Sequence, residues 1–483
     1  MEKENIKIGW ADADITPEGT VELYGQYYQR VSKGIHSRLG LTVMAAESDS
    51  GEQIVMISMD SLGIPFEFLR SARERVRKTI PGIIPEKIIM NATHVHNAPA
   101  LFTRENWWES AKGTVKTSDY RESVISRIVD AVSRAWESRR LALMSMTRGY
   151  AVTGHCRRAM FDGNTAEMYG DTSRDDFIGL EGNEDSTLEL LFTYDERKNS
   201  TGVIVNVACP SQVMEATCLI SSDFMGETRR LLKDHFGEKF HILCQVSSAG
   251  DQSPRDLVRN QNADFWNEKG VTILGKRICD AIINEYEKTG AGDISGDLEF
   301  SHNVARIKLP KWFPSYRQVL KAEKELKELK TVMSEKEAFA AFTDEVKRNE
   351  KIAERPGPYD SKLHHFVLMK NAEAVIQRGF ERDKLPCIEM EMHVLRMGNA
   401  VFCTNAFELF LDYGLRMKAC SKAPQTFIVQ LCCGSESYLP TEKAQLHGGY
   451  GGLINNSIVG AEGGDILVEE TLKIINGSLF ADS

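Results

Sequence analysis

Residues 240–256 read FHILCQVSSAGDQSPRD: an apolar run from Phe240 to Val246, a break on Ser247, Ser248 and Gly250, then Asp251, Ser253 and Pro254 in a tight turn. The apolar run has the character of a buried strand. A strand that stops on small residues and then offers a carboxylate and a hydroxyl joins rigid support to a loop that can reach a ligand. Gly-Asp and Ser-Pro are also ordinary turn chemistry. The stretch therefore acquires functional meaning only from its neighbours.

Strands and helices alternate on either side of it. Residues 6–16 form a strand ending at Pro17. Leu41–Glu47 and Gln53–Asp60, joined through Asp49-Ser50-Gly51, read as a hairpin. Helical periodicity covers 65–79 and 118–138, where Val124, Ile128, Ala131, Val132 and Ala135 share one face. Further strands are expected at Ile88–Met90, 142–150, 188–194, 202–207, 388–395, 400–404 and 428–432. Further helices are expected at 223–236, capped by Ser221-Ser222-Asp223, at 269–288 and at 464–476. This pattern predicts a mixed α/β fold over 1–483: one large domain, central mixed β-sheets flanked by helices, and the active site at strand ends. Tyr24–Tyr28 is a Gly-and-aromatic loop, and 153–186 reads as a long polar loop. Residues 314–354, rich in Lys and Glu, and a second helical piece at about 362–378 give a helical insertion over about 314–380, either a lid or a solvated decoration.

Composition narrows the function. A hydrophobic content of 42% and a charged content of 27% are those of a soluble globular protein. The net charge of −10, with no basic block, argues against a nucleic-acid partner. No apolar run is long enough for stable membrane insertion, and the charged N-terminus lacks the apolar segment of a signal peptide. The ten cysteines show no paired CxxC motifs, and Cys244 and Cys403 lie in apolar runs. A reducing, cytoplasmic setting is expected.

Polar residues recur where strands end: His94 and His96, Cys209, Ser253, Glu408 and Tyr438. Strand ends share an edge of an α/β sheet, so distant positions can converge there. In an extended His-x-His both imidazoles lie on one face. They can bind one metal, divide between metal and substrate, or serve as a structural pair. A glutamate added to them gives the N and O donors that zinc accepts.

Several motifs, in order, carry a resemblance. ADADITP near the N-terminus, GIHSRLGLTVMA, NATHVHNAP, SSAGDQSPRD and SYLPTEKAQLHGGY are similar to motifs of the neutral/alkaline ceramidase family, zinc-dependent amidases that cut N-acyl sphingosine. The likeness runs from about residue 8 to 475 and implies a catalytic domain without the family's C-terminal immunoglobulin-like domain. It implies one zinc ion held by His94, Glu408 and Tyr438, with His96, Tyr450, Arg157 and the serine Ser253 at the reacting centre. The family's second zinc histidine falls on Cys209 in VNVACPSQ, which makes Cys209 either a thiolate ligand or a buried, inert residue. Cys156 also stands where the family has an asparagine beside the arginine.

The resemblance implies a metal-dependent amidohydrolase acting on a small molecule with an amide bond, by metal-activated attack on the carbonyl. A soluble amide is expected in place of ceramide, with Arg157-Arg158 suited to an acidic group. The alternative is a catalytically silent relative that binds a small soluble ligand in the inherited cleft.

Overall fold

The computed structural model describes residues 2–26, 29–101, 110–259, 265–349, 365–382 and 384–481. Tyr27 and Tyr28 of the expected aromatic loop, and 350–364 of the expected helical insertion, lie outside the described residues.

Eight strands build the larger sheet: β1 (Glu4–Asp14), β2 (Gly40–Ser48), β3 (Gln53–Met59), β4 (Ile88–Ala92), β5 (Arg140–Tyr150), β6 (Thr187–Tyr194), β7 (Ser200–Val207) and β8 (His241–Val246). They run in the order β8-β7-β6-β5-β1-β2-β3-β4, and a short strand, Asp297–Leu298, pairs with β1 as the ninth. β2 and β3 form the expected hairpin, in register from Leu41↔Met59 to Glu47↔Gln53. The pairs β3–β4 and β7–β8 are parallel. The sheet folds over on itself: the Ser58 hydroxyl of β3 and the Asn91 amide of β4 both donate to the Cys244 carbonyl of β8. Helices α1 (Phe66–Thr79) and α2 (Thr117–Glu137) cover the β1–β4 side, and α3 (Asp223–Phe236) and α4 (Glu268–Lys288) the β6–β8 side.

A second sheet is built from β9 (Phe300–Pro310), β10 (Cys387–Met397), β11 (Ala400–Thr404) and β12 (Gln425–Val429), in that order. Its side chains alternate as a two-faced sheet requires. Leu395, Met397, Phe402, Phe427 and Val429 enter the core shared with the larger sheet. Met392, Val394, Val401, Cys403 and Ile428 pack instead with α5 (Leu411–Cys420) and α6 (Ala461–Ile474). The architecture is mixed α/β, two sheets flanked by helices, as the sequence predicts.

Two expectations need correction. Residues 153–186 are not a loop. Short strands at Arg158–Phe161, Thr165–Met168 and Phe177–Leu180 form a small antiparallel sheet with its own core of Ala159, Phe161 and Leu257. Within these three strands only Ala159, Met160, Phe161 and Ala166 are buried apolar residues, so no full strand alternation shows in the sequence. The Ser222 side chain does not cap α3; the Asp223 carboxylate accepts the Phe224 N–H instead, at φ 52°. The expected insertion does form helices, Tyr316–Val332, Glu335–Asn349 and His365–Glu381, with a small core of Ala338, Phe342, Phe366 and Met369.

Four turns that follow strands are laced together by backbone hydrogen bonds. Ala92 N–H, at the end of β4, donates to Leu431 O (3.3 Å), and Leu431 N–H donates to Phe407 O (3.3 Å). Gly250 N–H donates to Leu409 O (2.8 Å), and Gln430 N–H to Val246 O (3.1 Å). The Gln430 side-chain oxygen then takes both Ala249 N–H and Leu409 N–H, each at 3.0 Å. Gly250 is required at this crossing, since a Cβ there would lie 2.3 Å from Glu408 O. Sequence-distant turns are thereby fixed around one cleft.

Candidate active site

His94 lies two residues beyond β4 at φ 59°, a left-handed conformation costly for a residue with a Cβ. The convergence of His94 and His96 therefore comes from a turn, not from the pleat of an extended segment. The two rings meet edge to face with centroids 5.0 Å apart, and their Nε2 atoms are 3.5 Å apart. His94 Nδ1 donates to Leu62 O (2.6 Å), because a carbonyl can only accept. That bond fixes the tautomer and leaves the Nε2 lone pair facing Glu408 Oε2 at 3.5 Å.

Glu408 belongs to a two-residue bridge, in register with Tyr438. Burial pushes its carboxyl up, but the His94 imidazole, Arg157 and the Tyr438 hydroxyl outweigh that and hold it below the usual range. Arg157 is buried; its Nη2 donates to Tyr438 Oη (3.0 Å) and to Gly250 O (2.8 Å). This one side chain ties the tyrosine to the turn at 247–254. The Tyr450 ring stands edge-on to Tyr438, 5.4 Å between centroids. Its loop is held by Arg158, which donates to Tyr450 O (2.7 Å) and Gly448 O (2.6 Å) while paired with buried Glu181.

Ser253 is wholly buried and pairs with His155 in a short antiparallel bridge. Its Oγ receives three donors: the Tyr169 hydroxyl (3.2 Å), Gln212 Nε2 (3.3 Å) and Arg255 N–H (3.2 Å). Donors aimed at one oxygen favour negative charge on it. On the other flank, Glu215 Oε2 lies 3.2 Å from His96 Nδ1 and accepts from Gln26 Nε2 (3.1 Å). Burial lowers the His96 pKa and keeps that ring neutral.

Cys209 stands apart. Its thiol is buried among Val203, Val205, Val207 and the α3–α4 side chains, and it donates to Thr153 O at 3.2 Å. Burial pushes it well above the ordinary thiol range, and its sulfur does not group with His94 and Glu408. The reading of Arg157-Arg158 as a pair for an acidic substrate also changes, because both guanidinium groups are spent inside the protein. Sequence reasoning missed Tyr169, Gln212 and Glu215. The last two were within reach: they follow β7 directly in CPSQVME, the segment searched for a ligand.

The remaining donors fit zinc. One imidazole nitrogen with its tautomer set by a carbonyl, one ionised carboxylate and one phenol oxygen make a three-residue N/O set of the kind zinc accepts.

No family model matches the chain. The neutral ceramidase of Drosophila melanogaster is 23% identical over 339 residues, 61% of this chain and 47% of that protein. That of Drosophila pseudoobscura pseudoobscura is 21% identical over 337 residues, with the same coverage. The chain thus spans about half the length of the curated relatives it matches. Among solved structures, the neutral ceramidase from Pseudomonas aeruginosa superposes with a TM-score of 0.67 at 16% identity, covering 98% of this chain and 75% of that one. A ceramidase complexed with C2 gives 0.69 at 15% identity, covering 99% and 76%. In sequence the chain is distantly similar to neutral ceramidases, and it shares their fold.

Proposed function

We propose that the protein hydrolyses the amide of a small N-acyl substrate, with one zinc ion held by His94, Glu408 and Tyr438. The observation that carries this reading is the meeting of those three donors beside Arg157, which also grips the turn that presents Ser253. Zinc bound there would supply Lewis acidity to the amide carbonyl. The loss of Cys209 from the ligand set supports catalysis, since three protein ligands and an open position are the pattern of catalytic zinc, and four the pattern of structural zinc.

The chain's own groups divide the remaining work. Arg157 holds the Tyr438 oxygen and keeps a positive charge behind Glu408. His96, neutral and backed by Glu215, offers a nitrogen for moving a proton at the reacting centre. Tyr450, on a loop anchored by Arg158, is placed to donate to a carbonyl oxygen. Ser253, with three donors on its Oγ, is the nucleophile in this reading.

The test is turnover on a panel of ceramide, N-acyl amino acids and N-acyl amino sugars, with zinc removed and restored. Hydrolysis that disappears with the metal, and falls about a hundredfold or more in Ser253→Ala, is the expected result. Turnover indifferent to both treatments would sink the proposal.

A further inference from the structure

A second donor cluster lies away from the cleft, buried in the seam between the two sheets. Glu391 and His393 stand two apart on β10, so they share its inward face. Cys433 meets them from the turn after β12, and the ligand atoms of the three lie within 4.8 Å of one another. The thiol of Cys432 sits 3.9 Å from Cys433 Sγ. Two thiolates on a tetrahedral zinc at about 2.3 Å would be about 3.8 Å apart. Cys433 is held at φ 57° and Leu431 at φ 49°, so the turn adopts left-handed backbone twice without a glycine.

The protons in this seam can be assigned from the carbonyl at its end. Gln53 O can only accept, so His302 Nδ1, 3.2 Å away, carries a hydrogen. A neutral imidazole carries a single ring hydrogen, so with that hydrogen on Nδ1 the His302 Nε2 is a bare acceptor. His393 Nδ1, 2.9 Å from it, must then be the donor. What remains is His393 Nε2, 2.9 Å from Glu391 Oε1 and grouped with the Cys433 thiol, beyond which lies the thiol of Cys432. It either takes a second proton or gives its lone pair to a cation. The arrangement before it, a ligand imidazole whose other nitrogen donates to a fixed acceptor, is how metal-bound histidines are oriented.

Charge permits the cation. Arg73 bridges Glu391 (2.7 Å) and Cys433 Sγ (3.9 Å) but supplies one positive charge. One divalent ion together with Arg73 balances Glu391, Cys432 and Cys433 as three anions around a neutral His393, and the sum is zero, as a buried site demands.

We propose that this seam is a structural site for a thiophilic divalent cation, zinc by class, bound by Cys432, Cys433, His393 Nε2 and Glu391. Binding releases two protons from the thiols and the imidazole to solvent, matching the charge of the ion, and leaves oxidation states unchanged. The ion pins β10 of the second sheet to the turn that bonds both Ala92 and Phe407, next to the cleft but outside it.

Zinc-edge X-ray absorption and metal analysis of the full chain test this independently of catalysis, because none of the donors proposed for the cleft is sulfur. In His94→Ala, one equivalent of zinc should remain with sulfur scatterers at about 2.3 Å. In Cys433→Ser that sulfur shell should be lost while the cleft keeps its nitrogen and oxygen shell. Should Cys433→Ser fail to fold, cobalt replacement in the unaltered protein serves, since thiolate-to-cobalt charge-transfer absorption reports the same ligands. Metal-free His94→Ala, or zinc and cobalt spectra without sulfur ligation, would overturn the proposal. Loss of turnover on the amide panel would leave it untouched.

Discussion

His94 and His393 make an instructive pair. Each is a buried histidine facing a glutamate, with its Nδ1 donating to a fixed acceptor. Their backbones differ. His94 sits beyond its strand at φ 59°, and Glu408 beside it keeps 19% of its side chain exposed. His393 is inside an eleven-residue strand paired on both edges, 1% exposed, and Glu391 beside it keeps 7% of its side chain exposed. The first pair spends backbone strain to hold donors at an opening; the second uses regular structure to seal them in. Under the proposed function and the proposed seam site, similar side chains serve chemistry in one place and cohesion in the other, and the backbone separates the two.

The sharpest way to break this contrast is to exchange the outcomes of two substitutions. His94→Ala should reduce amide turnover by about a thousandfold or more, the several kcal/mol of carbonyl polarisation lost with the ligand, with little change in the thermal midpoint. His393→Gln should do the opposite, lowering the midpoint clearly while the surviving folded fraction keeps its KM. Parallel kinetics and calorimetry on both variants decide it. A catalytic defect in His393→Gln at unchanged stability would erase the distinction.

Next in size is the buried ion pair behind the Tyr450 loop. Arg158 and Glu181 are 1% and 4% exposed at their side chains, and Arg158 also satisfies two carbonyls of residues 448–450. Arg158→Ala leaves the Glu181 carboxylate facing the His447 imidazole. The expected loss is about 3 kcal/mol in urea unfolding, together with a raised KM as the loop loosens. An unaltered unfolding curve would show that the loop does not depend on the pair.

Cys209 gives a smaller test and shows what the sequence could have told. Val203, Val205 and Val207 point to the α3–α4 side, and Cys209 continues the same odd-numbered phase into that core. Strand parity alone placed the thiol there, whereas alignment to a family motif placed it on the metal. Cys209→Ala should cost about 1 kcal/mol and leave zinc content and turnover within twofold of the parent. Loss of zinc would restore Cys209 to the ligand set.

The rest of the comparison between sequence and structure has similar causes. The β2–β3 hairpin, α2 and the β10–β11 pair follow periodicities that long elements display in full. His94, Glu408 and Tyr438 are recognisable because motifs mark strand ends. Tyr169 makes its contacts only once separate turns are brought together, and no local pattern announces it, whereas Gln212 and Glu215 at least follow the end of β7 directly. The seam cluster is of the same kind: Glu391-Met392-His393 and Cys432-Cys433 look unrelated until the two sheets meet.

Asp223 lies between the two cases: it is buried like the seam, but its oxygens meet backbone N–H groups of Met214 and Phe224 in place of a cation. Burial pushes its carboxyl up to about 6, against the pull of those N–H groups. A folded value above the unfolded one, about 3.9, means that protonation favours the folded state. The stability it contributes is fully present below the unfolded value and lost as pH rises through 6. Between pH 7 and pH 5 the unaltered protein should therefore gain about 1 kcal/mol relative to Asp223→Asn, which cannot titrate and tolerates the positive φ. Urea unfolding of both proteins at pH 5, 6 and 7 reads this difference directly, since every other titrating group cancels. If the difference is flat with pH, the backbone donors alone hold Asp223 ionised, and a buried carboxylate here needs neither the cation of the seam nor the opening of the cleft.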